Sequence, residues 1–388
     1  MGYWYWRNLK SGWVQDEGAT NRFDLPEQGH LSGLKITVQQ KNAVYLCNGY
    51  DNPYPIDKIN PRIMGNGNEE IIDLRGKELE AINFWETGKM SRKLLWTIGT
   101  QTLSEELYLP FGRFMGDTKK GLILEKWKAG VQFEDTNTWS TSYVTDTYQK
   151  YTIDGLFRKN PEPGLFSDGY LSKKHISDED SLARTQHAIK LPTRQKLKQV
   201  YLFTEPDLTD VTTYLPSITP FSNISDVWLS IKSKEEYIIN KQSSGWIAYM
   251  MHQLYGRVAE TGGLSGGGAT TLYLDTKIYE RQETTFGCFN TNPRVFVEDA
   301  ATNLERIIKG VTYDLATPTA ALAQIYWHAK GICPHGIIPL LLQDPMSDQD
   351  QWLDADANKD VYVEASEGTS GYGKWRIVLD ELQKHPVD

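Results

Sequence analysis

Residues 354–360 carry the pattern in this sequence that most resembles a metal-binding loop. Acidic and amide side chains recur there at alternate positions, and Ca²⁺ prefers such oxygen ligands. Two residues depart from the calcium-loop pattern: Lys359 stands where the sharp turn needs glycine, and Glu364 falls one residue early for the bidentate ligand. The segment therefore predicts a solvated acidic turn, with a calcium site as the alternative. The calcium ligands would be Asp354, Asp356, Asn358 and Asp360.

A group of nitrogen and sulfur ligands lies between residues 328 and 335. His328, Cys333 and His335 are residue types that zinc prefers, but a structural zinc site takes four ligands at regular spacings. We therefore predict that these three are core or loop residues. The glycine run 266–268 lacks the Gly-Lys-Ser/Thr that completes a phosphate-binding loop, so residues 261–271 are predicted to form a flexible surface loop.

No constellation of catalytic groups emerges from the rest of the sequence. The two carboxylates that a glycosidase needs cannot be picked out among 50 Asp and Glu residues. The 12 Trp and 21 Tyr residues suit sugar stacking, yet aromatic side chains more often fill cores and protein interfaces. We therefore predict no enzymatic activity and keep a carbohydrate-active or carbohydrate-binding β-sandwich as the alternative.

Composition and charge are typical of a globular protein rich in β-structure. The 388 residues are 39% hydrophobic and 23% charged, which allows one large domain or two medium ones. The net charge of -9 argues against direct, sequence-specific binding of nucleic acid, because a protein that coats nucleic acid should be basic. Three scattered cysteines, no apolar run near ~18 residues and no secretory signal predict synthesis in a cytoplasm with reduced thiols.

Strand and turn patterns recur along the chain. Residues 34–38 alternate apolar and polar as a half-buried strand does, and the Gly-Asn-Gly-Asn turn at 65–68 predicts a hairpin. Short helices are predicted at 76–84 and, as the strongest helix pattern, at 235–255. Residues 1–21 are predicted to be an arm that precedes the first strand. The Pro/Gly-rich segment 159–164 separates two halves of similar character.

Five segments, in chain order, resemble the major capsid proteins of tailless icosahedral DNA viruses, the double jelly-roll lineage. They are residues 29–38, 56–76, 107–124, 188–193 and 375–382. The resemblance implies an all-β fold of two jelly-roll β-sandwiches in tandem, with short helices in connecting loops. The expected ranges are an N-terminal arm at 1–21, a first jelly roll at 22–160 and a second at 165–388.

The same resemblance implies a structural function in a virion. The chain would form a homotrimer with a pseudo-hexagonal outline, and such capsomers would tile an icosahedral shell beside minor capsid proteins. It also implies that the arm faces inward, where Trp4, Trp6 and Arg7 would contact neighbouring capsomers or a membrane beneath the shell. A second alternative is a minor virion protein of the vertex or spike, which would share the fold style without forming trimers alone.

Overall fold

The computed structural model describes most of the chain. The described residues are 2–16, 18–41, 55–94, 102–137, 148–180, 186–192, 195–206, 224–266, 271–275, 278–279, 283–288, 296–297, 307–312, 324–344, 346–367 and 373–386. Within them, none of the helices has the length and apolar character needed to span a bilayer.

Strands dominate both halves of the chain, as the composition predicts. The first half contains β1 (Tyr3–Asp16), β2 (Thr20–Asp24), β3 (His30–Lys41), β4 (Ile59–Gly65), β5 (Glu69–Asp73), helix α1 (Gly76–Thr87), β6 (Arg92–Leu94), β7 (Thr102–Pro110), β8 (Leu122–Ile123), β9 (Val131–Asn137) and β10 (Tyr148–Lys159). Short 3-10 turns lie at Pro55–Lys58, Leu124–Lys126 and, later in the chain, Gln349–Gln351.

The second half adds two helices and the remaining strands. In chain order these are β11 (Tyr170–Asp180), β12 (Gln186–Lys190), β13 (Lys196–Pro206), β14 (Ile224–Ile231), β15 (Glu236–Gln242), α2 (Ser244–Tyr255), β16 (Ala259–Gly266), β17 (Thr271–Asp275), β18 (Ile278–Tyr279), β19 (Glu283–Cys288), β20 (Phe296–Val297), β21 (Ile307–Thr312), β22 (Gln324–Gly331), β23 (Cys333–Pro334), β24 (Ile337–Pro339), β25 (Leu353–Asp354), α3 (Ala355–Asn358), β26 (Tyr362–Glu367) and β27 (Gly373–Gln383).

Two sheets enclose the core of the first half. One sheet has the order β1-β10-β3-β7-β6, and the facing strands run β2-β9-β4-β5. Alternate residues of both sheets, including Ile36, Leu107, Ile63 and Phe133, are fully buried in one hydrophobic cluster. This is the arrangement expected for a β-sandwich, in which two inner faces share one core.

A second sandwich encloses a separate core in the second half. Strands β13 and β27 face a four-stranded sheet of order β12-β26-β14-β15, and side chains such as Leu202, Ile377, Leu229 and Val363 meet between them. The domain ranges 22–160 and 165–388 for the two jelly rolls remain predictions.

One continuous sheet joins the two sandwiches. Its order is β2-β9-β4-β5-β11-β27-β13-β24, and β25 also pairs with β13, so four strands of the first half and five of the second share it. The junction is a parallel pairing of β5 with β11, at Lys173 opposite Ile72 and Lys174 opposite Asp73. Helix α1 lies at this junction, where the Trp85 indole N–H donates to the carbonyl of Ile337 at 2.7 Å.

Local sequence chemistry explains the confirmed elements. The hairpin between β4 and β5 forms as predicted, and Asn66 and Gly67 adopt positive φ angles of 48° and 85°, which these two residue types tolerate. The predicted helix at 76–84 is confirmed as α1. Its end follows from Gly88, which adopts a left-handed conformation.

Three predicted elements differ from the structure. Residues 1–21 were expected to precede the first strand, but Tyr3–Asp16 is itself the first strand and pairs with β10. The helix predicted at 235–255 begins only at Ser244, because Glu236–Gln242 pairs with β14 as an edge strand and Ser243 caps the helix. The loop predicted at 261–271 is largely strand β16, paired with β22, and its residues 267–270 lie outside the described residues.

Candidate functional site

The three arm residues are held on strand β1. The Trp4 ring lies 6.3 Å from the Phe166 ring and has the Arg158 guanidinium above it at 5.3 Å, so it is fastened to the chain's own surface. Trp6 is 49% exposed, and the Lys35 ammonium lies 5.8 Å from its ring. Arg7 is exposed above Phe157. Contact of these residues with a membrane or a neighbouring capsomer stays a prediction.

The predicted calcium ligands are engaged in contacts of their own. Asp354 caps the short helix α3 by accepting from the amide of Ala357 at 3.0 Å, and the Asn358 amide donates to the Asp354 carbonyl at 2.7 Å. Asp360 forms an ion pair with Lys190 and accepts from the Ser233 hydroxyl at 2.7 Å. Asp356 is exposed. The calcium site stays a prediction.

The possible zinc ligands each have a different partner. The Cys333 thiol is buried and donates to the carbonyl of Ile337 at 3.3 Å, while His335 contacts Glu80 at 2.7 Å. His328 lies on the surface, 3.6 Å from Glu260. Across the part of the chain that the structure describes, no three His, Cys, Asp or Glu side chains converge closely enough to hold a metal ion.

Large apolar side chains are exposed on two outer regions. Strand β1 presents Tyr3, Trp6 and Val14, and the segment from β15 to the residues just after α2 presents a further set. That set is Tyr237, Ile238, Trp246, Leu254 and Val258. On α2, Trp246 and Leu254 are eight residues apart and therefore lie on one side of the helix. Exposed apolar groups of this kind are typical of surfaces that contact other proteins.

The most heavily charged part of the interior surrounds helix α1. Glu78, Glu80 and Glu86 are all fully buried, although they point in different directions around the helix. Because buried carboxylates are costly unless paired, each needs a cation or hydrogen-bond donors nearby. Most of these partners come from the second half of the chain, so α1 fastens one half to the other. We call this set of paired side chains the α1 charge layer.

Glu78 is paired with two cationic residues of the central sheet. His175 on β11 lies 2.8 Å from it and Arg376 on β27 lies 3.6 Å from it, and the amide of Arg75 donates at 2.8 Å. Burial alone would raise the pKa of Glu78, but the charge and hydrogen bond of His175 outweigh burial and lower it. In return, Glu78 outweighs the effect of burial on His175 and raises the pKa of that imidazole.

Glu80 has the most complete set of partners. Lys93 and His335 each lie 2.7 Å from its carboxylate, and the amide of Ser91 donates at 3.2 Å. Although burial would raise the pKa of Glu80, the Lys93 ammonium and His335 lower it to about 2. Lys93 also lies 3.4 Å from the buried carboxylate of Glu105. Glu80 is therefore an ionised group at any ordinary pH.

Glu86 belongs to a four-residue cluster with Lys173, Lys198 and Asp380. Lys198 contacts Glu86 and lies 3.1 Å from Asp380, while Lys173 lies 3.4 Å from Glu86 and 3.7 Å from Asp380. Burial, aided by the charge of Asp380, raises the pKa of Glu86. The pKa of Asp380 is lowered, since the two ammonium groups outweigh burial. The cluster thus holds two amines and two carboxyl groups away from water.

The α1 charge layer was not predicted from the sequence. A signal for it exists, because apolar residues occupy every side of the helix: Leu79, Ala81, Ile82, Phe84 and Trp85 are all buried. A helix that is apolar all round is itself buried, so any charges within it must be paired.

Comparisons with known proteins agree with the sandwich geometry. No protein-family model matches the sequence, and no curated protein matches it. Among solved structures, the major capsid protein of Sulfolobus turreted icosahedral virus is 8% identical, with a TM-score of 0.57 over 98% of this chain and 96% of that one. The major capsid protein P2 of bacteriophage PM2 is 9% identical, with a TM-score of 0.50 over 98% and 96%.

A third structure extends the likeness. VP54 of PBCV-1, a crystal structure that was fitted into a cryo-EM reconstruction of the virophage Sputnik, is 7% identical, with a TM-score of 0.54 over 98% of this chain and 94% of that one. The chain therefore has the all-β double jelly-roll fold of viral major capsid proteins, as the sequence predicts.

Proposed function

We propose that this protein is a structural major capsid protein of a virion. The observation that carries the proposal is the structural match to a major capsid protein. The match covers 98% of this chain and 96% of that protein. In this proposal the chain forms a homotrimer with a pseudo-hexagonal outline, and such capsomers tile an icosahedral shell together with minor capsid proteins. Its role is to assemble, without catalysis.

The exposed apolar side chains support this proposal. Stable protein interfaces bury aromatic and aliphatic anchors, and both outer regions carry them: Trp6 on β1 and Trp246 on α2. In a closed ring of identical chains, each chain offers two different faces to its neighbours. Two separate apolar regions on one chain suit such a ring.

Solution mass and particle outline test the proposal. The purified chain is expected to have three times the mass of the 44.2 kDa subunit by light scattering, and negative-stain images should show a hexagonal outline. A monomer that binds glycans would favour the carbohydrate-binding β-sandwich instead. A monomer that joins a shell only beside another capsid protein would favour the minor virion protein.

The proposed inward contact of Trp4, Trp6 and Arg7 is best tested by a single substitution, because a larger change would disturb the fold. Deleting the first residues would remove a strand that pairs with β10 from Tyr3 to Asp16, and would damage the sandwich itself. Trp6→Ala removes the exposed ring alone. We expect unchanged folding and weaker binding to neighbouring capsomers or to vesicles, whereas unchanged assembly and unchanged vesicle binding would exclude the contact.

A further inference from the structure

The buried cluster of Glu86, Lys173, Lys198 and Asp380 has a geometry that an ordinary ion pair does not need. All four side chains are at most 2% exposed. Lys173, Asp380 and Lys198 lie on the adjacent strands β11, β27 and β13, and Glu86 reaches them from helix α1. The pairing of β13 with β27 is irregular between Leu197 and Gln199, so Lys198 occupies a bulge beside Asp380.

The two groups that would form an amide bond are already in contact. The Lys198 Nζ lies 3.1 Å from Asp380 Oδ2, which places the amine beside the carboxyl group whose Cγ it would attack. Glu86 contacts the same Nζ, so the two carboxyl groups share the Lys198 ammonium. One oxygen of each carboxyl group, Glu86 Oε2 and Asp380 Oδ1, receives no donor from the protein, which suits a proton shared between them.

We propose that Lys198 and Asp380 condense to an intramolecular amide bond, with Glu86 as the proton carrier and Lys173 as the stabilising cation. One proton first passes from the Lys198 ammonium to the Asp380 carboxylate, and the resulting amine then attacks Cγ of Asp380 to form a tetrahedral intermediate. The Lys173 ammonium, 3.7 Å from Asp380, stabilises the developing oxyanion. The C–O bond to one Asp380 oxygen then breaks, and that oxygen leaves as water.

The protons balance without any further reactant. The Lys198 ammonium loses two protons as its nitrogen becomes an amide nitrogen, and both end on the departing oxygen, which supplies one water. Glu86 gives its proton to the leaving oxygen and takes one from the nitrogen, so it ends as it began. Exclusion of water favours the amide, because the two buried charges of Lys198 and Asp380 disappear and hydrolysis lacks its reactant.

Two other buried lysines that are paired with carboxylates provide a comparison for the Lys198–Asp380 pair. Lys93 lies 2.7 Å from Glu80 and 3.4 Å from Glu105, but His335 and Ser91 also bind the Glu80 carboxylate. Lys120 lies 3.2 Å from Asp168, which is 24% exposed, and among the described residues no second carboxylate contacts Lys120. The Lys120 pair lacks a second carboxyl group that would carry protons, and the Glu80 carboxylate of the Lys93 pair is held by additional partners, so both pairs should stay unlinked.

The intact mass of the full-length chain tests the proposal. The chain should be lighter than its sequence requires by one water, freshly purified or after several days at mildly acid and neutral pH. Protease digestion should release one branched peptide that joins the segments around Lys198 and Asp380. A full mass at every time point, or a water loss located at any other residues, would overturn the proposal.

Single substitutions test whether Glu86 carries protons or has only a structural role. Glu86→Gln keeps the size of the side chain and its contacts with the lysines, but it cannot carry a proton, so the folded variant should keep its full mass. Lys198→Arg should also keep its full mass. Lys120→Arg is the matched control, and its water loss should equal that of the unmodified chain; formation of the link in folded Glu86→Gln would contradict the assigned role of Glu86.

Discussion

Replacing Glu80 by alanine is expected to destabilise the protein by about 3 kcal/mol at neutral pH. The variant would leave Lys93 and His335, both at most 5% exposed, without their shared carboxylate. Removal of one partner from a buried ion pair costs roughly 3–5 kcal/mol. The lower end applies here because Lys93 keeps Glu105 at 3.4 Å.

The pH dependence of this difference follows from the pKa of Glu80. Because the pKa is lowered from 4.5 to about 2, the stabilisation is fully present above 4.5 and is lost as the pH falls toward about 2. Urea unfolding of both proteins at several pH values measures it. The difference between Glu80→Ala and the unmodified chain should therefore shrink in acid.

Two control variants sharpen the test. Glu236→Ala removes a carboxylate that is 55% exposed and paired with Lys232, so its effect should be small. The double variant Glu80→Leu with His335→Leu removes the buried carboxylate together with the imidazole that contacts it, and Lys93 still has Glu105 as a partner. Because fewer buried polar groups are left unpaired, the double variant should be more stable than Glu80→Ala. If Glu80→Ala were as mild as Glu236→Ala, the α1 charge layer would not have the energetic role assigned to it.

Three further predictions concern other parts of the chain. Burial raises the pKa of Asp135 from 3.8 to about 6, so the stability that this group contributes is present below pH 3.8 and is lost as the pH rises through 6. At neutral pH, Asp135→Asn should therefore be more stable than the unmodified chain by about 2–3 kcal/mol. Equal stability of the two proteins in urea unfolding would contradict this. A Cβ at Gly65 would lie 2.1 Å from the Trp127 ring, so Gly65→Ala should cost about 1–3 kcal/mol, while Asn68→Ala in the exposed turn should be nearly neutral in the same assay. Calcium is expected to leave the melting temperature unchanged, because Asp354 and Asp360 already have protein partners; a rise that Asp356→Asn abolishes would establish the site.

Local patterns predicted those elements whose causes are local. The hairpin at Asn66 and Gly67 and the helix ending at Gly88 depend on residues a few positions apart, so the sequence alone was sufficient. Strand β1 was missed because its alternation is broken by register shifts between Asn8 and Lys10 and between Lys10 and Trp13. Glu236–Gln242 was assigned to a helix because an edge strand with one buried residue has no clear period.

The α1 charge layer could not be predicted because its partners are distant in sequence. His335 is 255 residues from Glu80, and Lys198 is 112 residues from Glu86. A short-range pattern shows that α1 is apolar all round, but only the tertiary fold shows which cations meet its glutamates. The same limit applied to Trp4, whose contacts with Arg158 and Phe166 depend on the pairing of β1 with β10.

The α1 charge layer also explains how two sandwiches can act as one subunit. The parallel contact between β5 and β11 comprises two residue pairs, and backbone hydrogen bonds such as that from the Leu171 amide to the Phe111 carbonyl at 2.8 Å add to it; the side-chain contacts around α1 fix the relative placement of the halves further. The three glutamates of α1 meet three different sets of partners, and sliding or rotating the helix would leave them buried without cations. Each such loss is costly, so the layer disfavours every arrangement but one. A capsomer subunit needs this rigidity, because neighbouring copies in the proposed trimer would contact both halves at the same time.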